Sequence, residues 1–411
     1  MRPLVGSLAI AVTALPALGG PKSVIEPIVT EEANNGDWCD WLSDSPGTLY
    51  KNKENPFIQK IKLFGRAHYQ AVYVDGTEGS ETIQDFRRLR AGAEIDFLKF
   101  FELKGSVNLT NDNRQRAGLG PTDNDGDLGF GYESIQDAVL TFDAQEAFNI
   151  QSLDSFKIRY GKQKLEIGGE QRASSKKIKT IERSAISNRL RDGNDGTGLL
   201  IEASKGKWGG SIGYFSNESV DELSYDYFSD GGTYLWAHLS YELTDNDTLF
   251  LDYFDSFDFD ASASAISPDY SIVASYEMER GPVDVLIEGI YGESQNPSAG
   301  RDGNFYAFVF LPSYELNDRT ELVFRYQYQG SNEEEGVRVN SRYTRRSGNQ
   351  DGPLIGDNRG DTHHSVYAGL NYLLCGHNAK VMFGVQYDNI DTPEEGHNEA
   401  MTYGAAFRMF F

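Results

Sequence analysis

Residues 171–184, QRASSKKIKTIERS, gather Arg172, Lys176, Lys177, Lys179 and Arg183 against a single acid, Glu182. Guanidinium forks and ammonium groups at this density suit oxyanions: each fork can give two parallel hydrogen bonds to a phosphate or carboxylate. The enrichment is wider than this stretch. Residues 157–191 hold eleven Lys/Arg and three Glu, a local balance of +8, in a chain of formal charge −24. So acidic a chain is not expected to bind nucleic acid. Two readings of the basic stretch stay open at this stage. It lines a narrow passage, where low-dielectric walls focus its field on passing anions, or it is a solvated surface loop whose cations simply face water.

Other constellations carry less. GGSIG (209–213) fits the G-x-S-x-G pattern, but that motif needs a strand-to-helix turn, and here Ser211 falls inside an alternating segment. The six histidines are scattered, and His363–His364 lack metal-ligand spacing. Asp123, Asp125 and Asp127 around Gly126 lack the closing bidentate Glu of a calcium loop. No catalytic residue, metal or cofactor is expected.

The elements that must position the cations read in twos. In KIKLFGRAHYQAVYV (60–74) Ile61, Leu63, Gly65, Ala67, Tyr69, Ala71 and Tyr73 share one face, and Lys60, Lys62, Arg66, His68 and Gln70 the other. Sixteen such segments follow one another at about 60–74, 87–97, 100–111, 134–143, 156–164, 197–205, 208–216, 233–243, 247–255, 270–279, 282–292, 304–315, 319–329, 363–374, 378–390 and 401–411. Each is near the ~9–11 residues of a tilted membrane strand. Connections after even segments are short, as at Arg280–Gly281. Those after odd ones run long, as at 112–133, 165–196 and 330–362. That alternation predicts an all-β fold: a 16-stranded antiparallel transmembrane β-barrel with the short turns on the periplasmic side.

The ends agree with export. Residues 1–20 read as a signal peptide, with Arg2, an apolar run to Leu15, and Ala17, Gly19 and Gly20. The run is too short for the ~20 residues of a spanning helix, the competing reading. Residues 21–58 read as a periplasmic leader and 59–411 as the barrel. MTYGAAFRMFF ends on Phe411, an aromatic terminus of the kind the barrel-assembly machinery recognises. Cys39 in the leader and Cys375 in YLLCGHN both fall on the periplasmic side, where disulfides persist. They are expected to bond and tether the leader; the alternative is two free thiols.

FGRAHYQ (64–70), DFRRLR (85–90), YGKQKLEIGGEQRASSKKIKTIERS (160–184) and NDGTG (194–198) resemble the phosphate-selective porins O and P, over most of residues 57–411. The resemblance implies a sixteen-stranded barrel, a trimer, and a third external loop folded inward to narrow the pore. It also implies an arginine ladder for anions. Arg87 and Arg88 match the family's paired arginines, Arg183 the arginine ending the third-loop motif, Lys176 the lysine of Ser-Ser-Lys, and Arg159 a fifth-strand cation. Arg172 replaces a lysine, and Arg66 stands on the wet face of the first strand. Gln136 departs from the family by replacing an acid, and Glu102 by replacing a lysine. The expectation is a passive channel for small anions, with phosphate as the finer reading, embedded among outer-membrane lipid and lipopolysaccharide. A structural or adhesive barrel with a plugged lumen is the competing class, and a non-selective porin another.

Overall fold

In a computed structural model the first barrel strand, β1 (Ile58–Gly76), alternates as its sequence does: Leu63 and Tyr73 point outward and exposed, while Phe64, His68, Gln70, Val72 and Val74 are buried inside. The structure describes residues 38–43, 46–110, 115–116, 130–191, 195–217, 223, 232–257, 268–294, 303–339, 341–344, 352–392 and 396–411. The signal-peptide stretch and the acidic loop 120–127 lie outside the described residues.

The remaining strands are β2 (Gly79–Phe97), β3 (Phe101–Thr110), β4 (Phe130–Asp143), β5 (Ser155–Gln163), β6 (Gly196–Lys205), β7 (Trp208–Ser216) and β8 (Thr233–Thr244). Then come β9 (Asp247–Phe257), β10 (Tyr270–Arg280), β11 (Val283–Ser294), β12 (Gly303–Asn317), β13 (Thr320–Ser331), β14 (Thr362–Leu373), β15 (Ala379–Thr392) and β16 (Gly396–Phe410). Each pairs antiparallel with its neighbours, and β16 pairs with β1 from Arg66↔Phe410 to Gly76↔Ala400, which closes the barrel. Closure joins the last strand to the first along Arg66–Gly76, as spanning lipid with strands requires. All sixteen expected segments are strands. One connection differs from expectation: residues 75–86, read as a long loop, instead prolong β1 and β2 to a turn at 77–78. Apart from Ile83 and Phe86 those residues are polar or glycine, so the alternation that marks a strand in the sequence fades there.

The burial pattern is inverted relative to a soluble sandwich. Outward positions are apolar and exposed, among them Leu103, Leu199, Leu251, Ile272, Phe308, Phe324 and Phe383. Inward positions hold buried polar groups such as His68, Asp252, Glu288, Arg325, Lys380 and Arg408. Aromatic contacts mark the two rims. Phe97, Phe101, Phe142 and Phe148 pack in series at the short-turn end, and Tyr69, Phe86 and Phe130 at the other. Such girdles sit at the headgroup levels of a bilayer. No described helix is long and apolar enough to cross a membrane.

Two β-bulges change which residues face the lumen. His68 pairs with Arg88 and Tyr69 with Phe86, so Arg87 is an extra residue in β2. Likewise Ser106 pairs with Asp137 and Val107 with Ile135, leaving Gln136 extra in β4. Successive strand residues normally face opposite ways; an inserted residue lets two neighbours face the same side.

Outside the barrel sequence proper, Thr48–Lys51 pairs with β1 at residues 60–62, and a short helix covers Trp38–Ser43. Cys39 and Cys375 are joined by a disulfide, with Cα atoms 5.0 Å apart.

Candidate functional site: a basic wall facing an acidic one

The bulge explains how a consecutive arginine pair serves one site. Phe86 points outward onto Tyr69 and Phe130, whereas Asp85, Arg87 and Arg88 all turn inward. Arg87 Nε donates to Glu182 Oε1 at 2.7 Å, and Arg88 lies buried beside His68. Across the seam His68 is in register with both Arg88 on β2 and Arg408 on β16. The next level pairs Arg66 with Arg90. Arg66, Arg88, Arg90 and Arg408 all act electrostatically on His68. Among the described residues, Arg88 Nη1 and Arg408 Nη1 in this row are buried and have no hydrogen-bond partner.

Residues 164–191 supply the other half of the site. Ser175 accepts from Arg66, Glu182 accepts from Gln70 at 3.0 Å, and the Ile178, Ile181 and Glu182 carbonyls accept from Lys380, Arg408 and Arg325. Lys176 lies over the Phe410 ring at 4.6 Å. The same segment reaches strands far around the barrel. Gly168 N donates to Asp252 at 3.0 Å, and Gly169 N to Glu288 at 2.5 Å. Arg172 pairs with Asp252 at 2.8 Å and stacks over Phe250; Lys179 pairs with Asp284 and with Glu321 at 3.1 Å. Its apolar residues Leu165, Ile167, Ile186 and Leu190 pack on inward residues of β6–β14, including Phe215, Tyr234, Trp236, Phe254 and Phe305.

Charge is thus sorted by wall. β1, β2 and β16 present Arg66, Arg87, Arg88, Arg90 and Arg408. β9–β11 and β13 present Asp252, Glu277, Asp284, Glu288 and Glu321, partly answered by Arg172 and Lys179. A set of acids thus faces inward from the strands, where lipid on the outer side leaves the inner positions to carry the charge. Burial opposes the charge of Arg172, but Asp252, Glu277 and Glu288 outweigh it and raise its pKa. Glu321 and Asp284 do the same for Lys179. Burial opposes ionisation of Glu182, but Arg87, Arg88 and Arg342 hold its carboxyl well below the ordinary range. Lys176 behaves oppositely: burial, then repulsion from Arg66, Lys62 and Lys104, brings it down to about 8.

Of the residues singled out in the sequence, Arg66, Arg87, Arg88 and Lys176 converge. Arg183 is buried and donates within its own segment, to the Glu170 and Ala173 carbonyls at 2.6 and 2.7 Å. Arg172 joins the acidic wall, and Arg159 pairs with Glu202 at 3.4 Å on β6. Gln136, inward at its bulge, bonds Asp195. Glu102 brings a carboxylate oxygen within 4.8 Å of those of Glu94 and Asp96, beside Lys60. Arg90 and Arg408 were not singled out, although their even spacing from Arg88 and from Phe410 gave their facing. A second inward group was also missed: Val337, Val339, Leu354 and Ile355 pack on Val72, Val74, Ile83, Ile390 and Ala400, while Arg342 pairs with Asp85 at 2.7 Å.

Removing the Arg87 side chain strands most of the Glu182 charge, leaving Gln70 as its bonded donor. Arg87→Ala is expected to weaken the hold on residues 179–184 by roughly 2 kcal/mol and to speed trypsin cleavage after Lys179 or Arg183 in the folded protein. Gly168 (φ +77°) gives a second test. A Cβ there would lie 2.7 Å from a Glu288 carboxylate oxygen, so Gly168→Ala should cost about 1–2 kcal/mol, read as a lower unfolding temperature on heat-modifiability gels.

A closed sixteen-stranded barrel with an apolar, aromatic-edged outer band and a charged interior is an outer-membrane β-barrel of the porin fold, and its place is the bacterial outer membrane. No family model matches the sequence, and no curated protein does. Solved structures do match in fold. The anion-selective porin from Comamonas acidovorans shares 11% identity at TM-score 0.54, over 85% of this chain and 99% of that one. The outer membrane channel DcaP of Acinetobacter baumannii shares 12% at 0.54, over 88% and 100%. Salmonella typhi OmpF, in complex with daunomycin, shares 13% at 0.53, over 88% and 100%.

Proposed function

We propose that the chain is a passive outer-membrane channel that favours small anions. In this reading residues 164–191 fold into the lumen as the third external loop and lean on β8–β14, where inward side chains are buried. The water path then runs along β1–β6, whose inward Lys62, Arg66, Arg90, Lys104 and Arg159 remain partly exposed. The observation that carries the reading is the cluster of Arg66, Arg87, Arg88, Arg90 and Arg408, with Glu182 bonded to it through Arg87. Phosphate is the finer proposal, resting on the guanidinium forks and on the resemblance in residues 160–184. A homotrimer, and recognition of Phe411 during assembly, belong to the same proposal.

A second reading has its own support. The apolar cluster under residues 164–191 and the packing of Val337, Val339, Tyr343, Leu354 and Ile355 both fill interior space, as a structural barrel of negligible conductance would require. Planar-bilayer recording under a KCl gradient separates them. The channel reading expects open-channel current with an anion-signed reversal potential. Added inorganic phosphate should block that current if phosphate is the preferred solute. Absence of current from folded protein would favour the structural barrel, and a cation-signed potential would overturn anion preference.

A further inference from the structure

The segment before the barrel is fastened to its outer side. Strand β1 begins at Ile58, but the C-terminal strand first meets it at Gly65, which exchanges backbone hydrogen bonds with Phe411, so residues 58–64 would have an open edge on that side. Thr48–Lys51 covers part of it, pairing with residues 60–62, and the Gly47 carbonyl accepts from Leu63 N at 2.7 Å. The helix Trp38–Ser43 continues past the end of β16 to the β14–β15 turn. There Cys39 bonds Cys375, and Asn378 Nδ2 donates to the Leu42 carbonyl at 3.0 Å.

The side on which the helix lies follows from what it touches. Leu42 packs with Ala379, Cys375, Met409 and Phe411. On β15 and β16 the even residues Lys380 and Arg408 point inward to the Ile178 and Ile181 carbonyls, so Ala379, Met409 and Phe411 point outward. Ala379 is fully covered, whereas Phe383, further along the same outward row, is 52% exposed. The helix therefore caps the lower end of the membrane-facing surface. Its own Trp38 and Trp41 are 47% and 62% exposed, on a helix that packs against outward residues of β15 and the C-terminal strand. Indole rings at the end of an apolar band are favoured in the headgroup layer, where the ring is apolar and its N–H can be hydrated.

We propose that the helix Trp38–Ser43, together with Thr48–Lys51 on the open edge of β1, forms a disulfide-fastened strap whose helix lies on the lipid side and seats Trp38 and Trp41 among the headgroups of the periplasmic leaflet. The partner is the phospholipid interface, and the disulfide keeps a six-residue helix, too short to persist alone, in place against it. This needs the barrel and its membrane orientation, not the anion preference.

The test uses the full folded chain in phosphatidylcholine vesicles whose acyl chains carry bromine near the headgroup end. Tryptophan emission is compared with unbrominated vesicles, and the signal from the helix is the difference between wild type and Trp38→Phe/Trp41→Phe. With the disulfide intact that difference should fall at least about twofold in brominated lipid. After reduction, or in Cys39→Ser, quenching should be largely lost while heat-modifiable mobility shows the barrel still folded. An unquenched helix signal in the oxidised protein would overturn the lipid contact. Quenching that survives reduction unchanged would overturn the fastening role of the disulfide.

Discussion

Reversing two charges on the basic wall, Arg66→Glu with Lys176→Glu, should invert the ion preference of the pore. Arg66 bonds Ser175, and Lys176 lies over Phe410 with Arg66, Lys62 and Lys104 acting on it. Among the described residues neither is ion-paired with an acid, in contrast to Arg172 and Lys179. Their charge therefore acts on solutes instead of cancelling locally. At ~7 Å in water one unit charge is worth about 0.6 kcal/mol to a passing ion, and salt near 0.1 M, with a Debye length of ~10 Å, removes roughly half. The substitution changes the wall by four units, which disfavours an anion by about 1.2 kcal/mol and favours a cation by as much, so the anion-to-cation permeability ratio should drop roughly fiftyfold. Reversal potential in a KCl gradient reads this directly. Arg172→Glu/Lys179→Glu is the matched control: it adds the same charge on the acidic wall, where the carboxylates already dominate, and should change the ratio much less. An equal effect from both pairs would show that the pore senses net charge and not the basic wall.

The second large effect expected is with pH. Lys176 is brought down to about 8 by burial and by its cationic neighbours. It carries its charge at pH 7 and has lost most of it by pH 9. Anion preference in the wild type should therefore decline between pH 7 and 9, while Lys176→Arg, charged throughout, should hold its preference flat. A wild-type profile unchanged across that window would rule Lys176 out as a determinant. The sign for stability is opposite in sense. The unfolded chain keeps this proton up to about 10.5 and the folded one only to about 8, so this group's contribution to folding improves as pH rises between those values.

How much of this could be read from the chain is itself physical. Strand positions were legible because lipid on one side and water on the other force a period of two. Through DGTEGSETIQDF (75–86) the apolar residues shrink to Ile83 and Phe86 and the period vanishes, so a hairpin reads as a loop. The basic stretch 171–184 was legible as composition, but not the fate of each cation. Arg172 and Lys179 find acids eighty to more than a hundred residues away on β9, β11 and β13, and nothing local announces those partners. The meeting of Arg408 with Arg88 through His68 requires the barrel to close, which joins the last strand to the first. Val337, Val339, Leu354 and Ile355 were opaque for a similar reason: they are few, and they become meaningful only against β1, β2, β15 and β16.

The extra residue at Arg87 also bears on how such a sequence can change. Substitution at this position alters one charge. Deleting it should do something different: it would restore regular pairing between β1 and β2, remove the donor that holds Glu182, and leave Arg88 still in register with His68. Length variation is usually tolerated in loops and ruinous in strands, because a single lost residue turns half a strand inside out. Here the strand contains one place where a codon can be gained or lost without that inversion, so insertion and deletion, as well as replacement, become routes by which the selectivity of this lineage can drift.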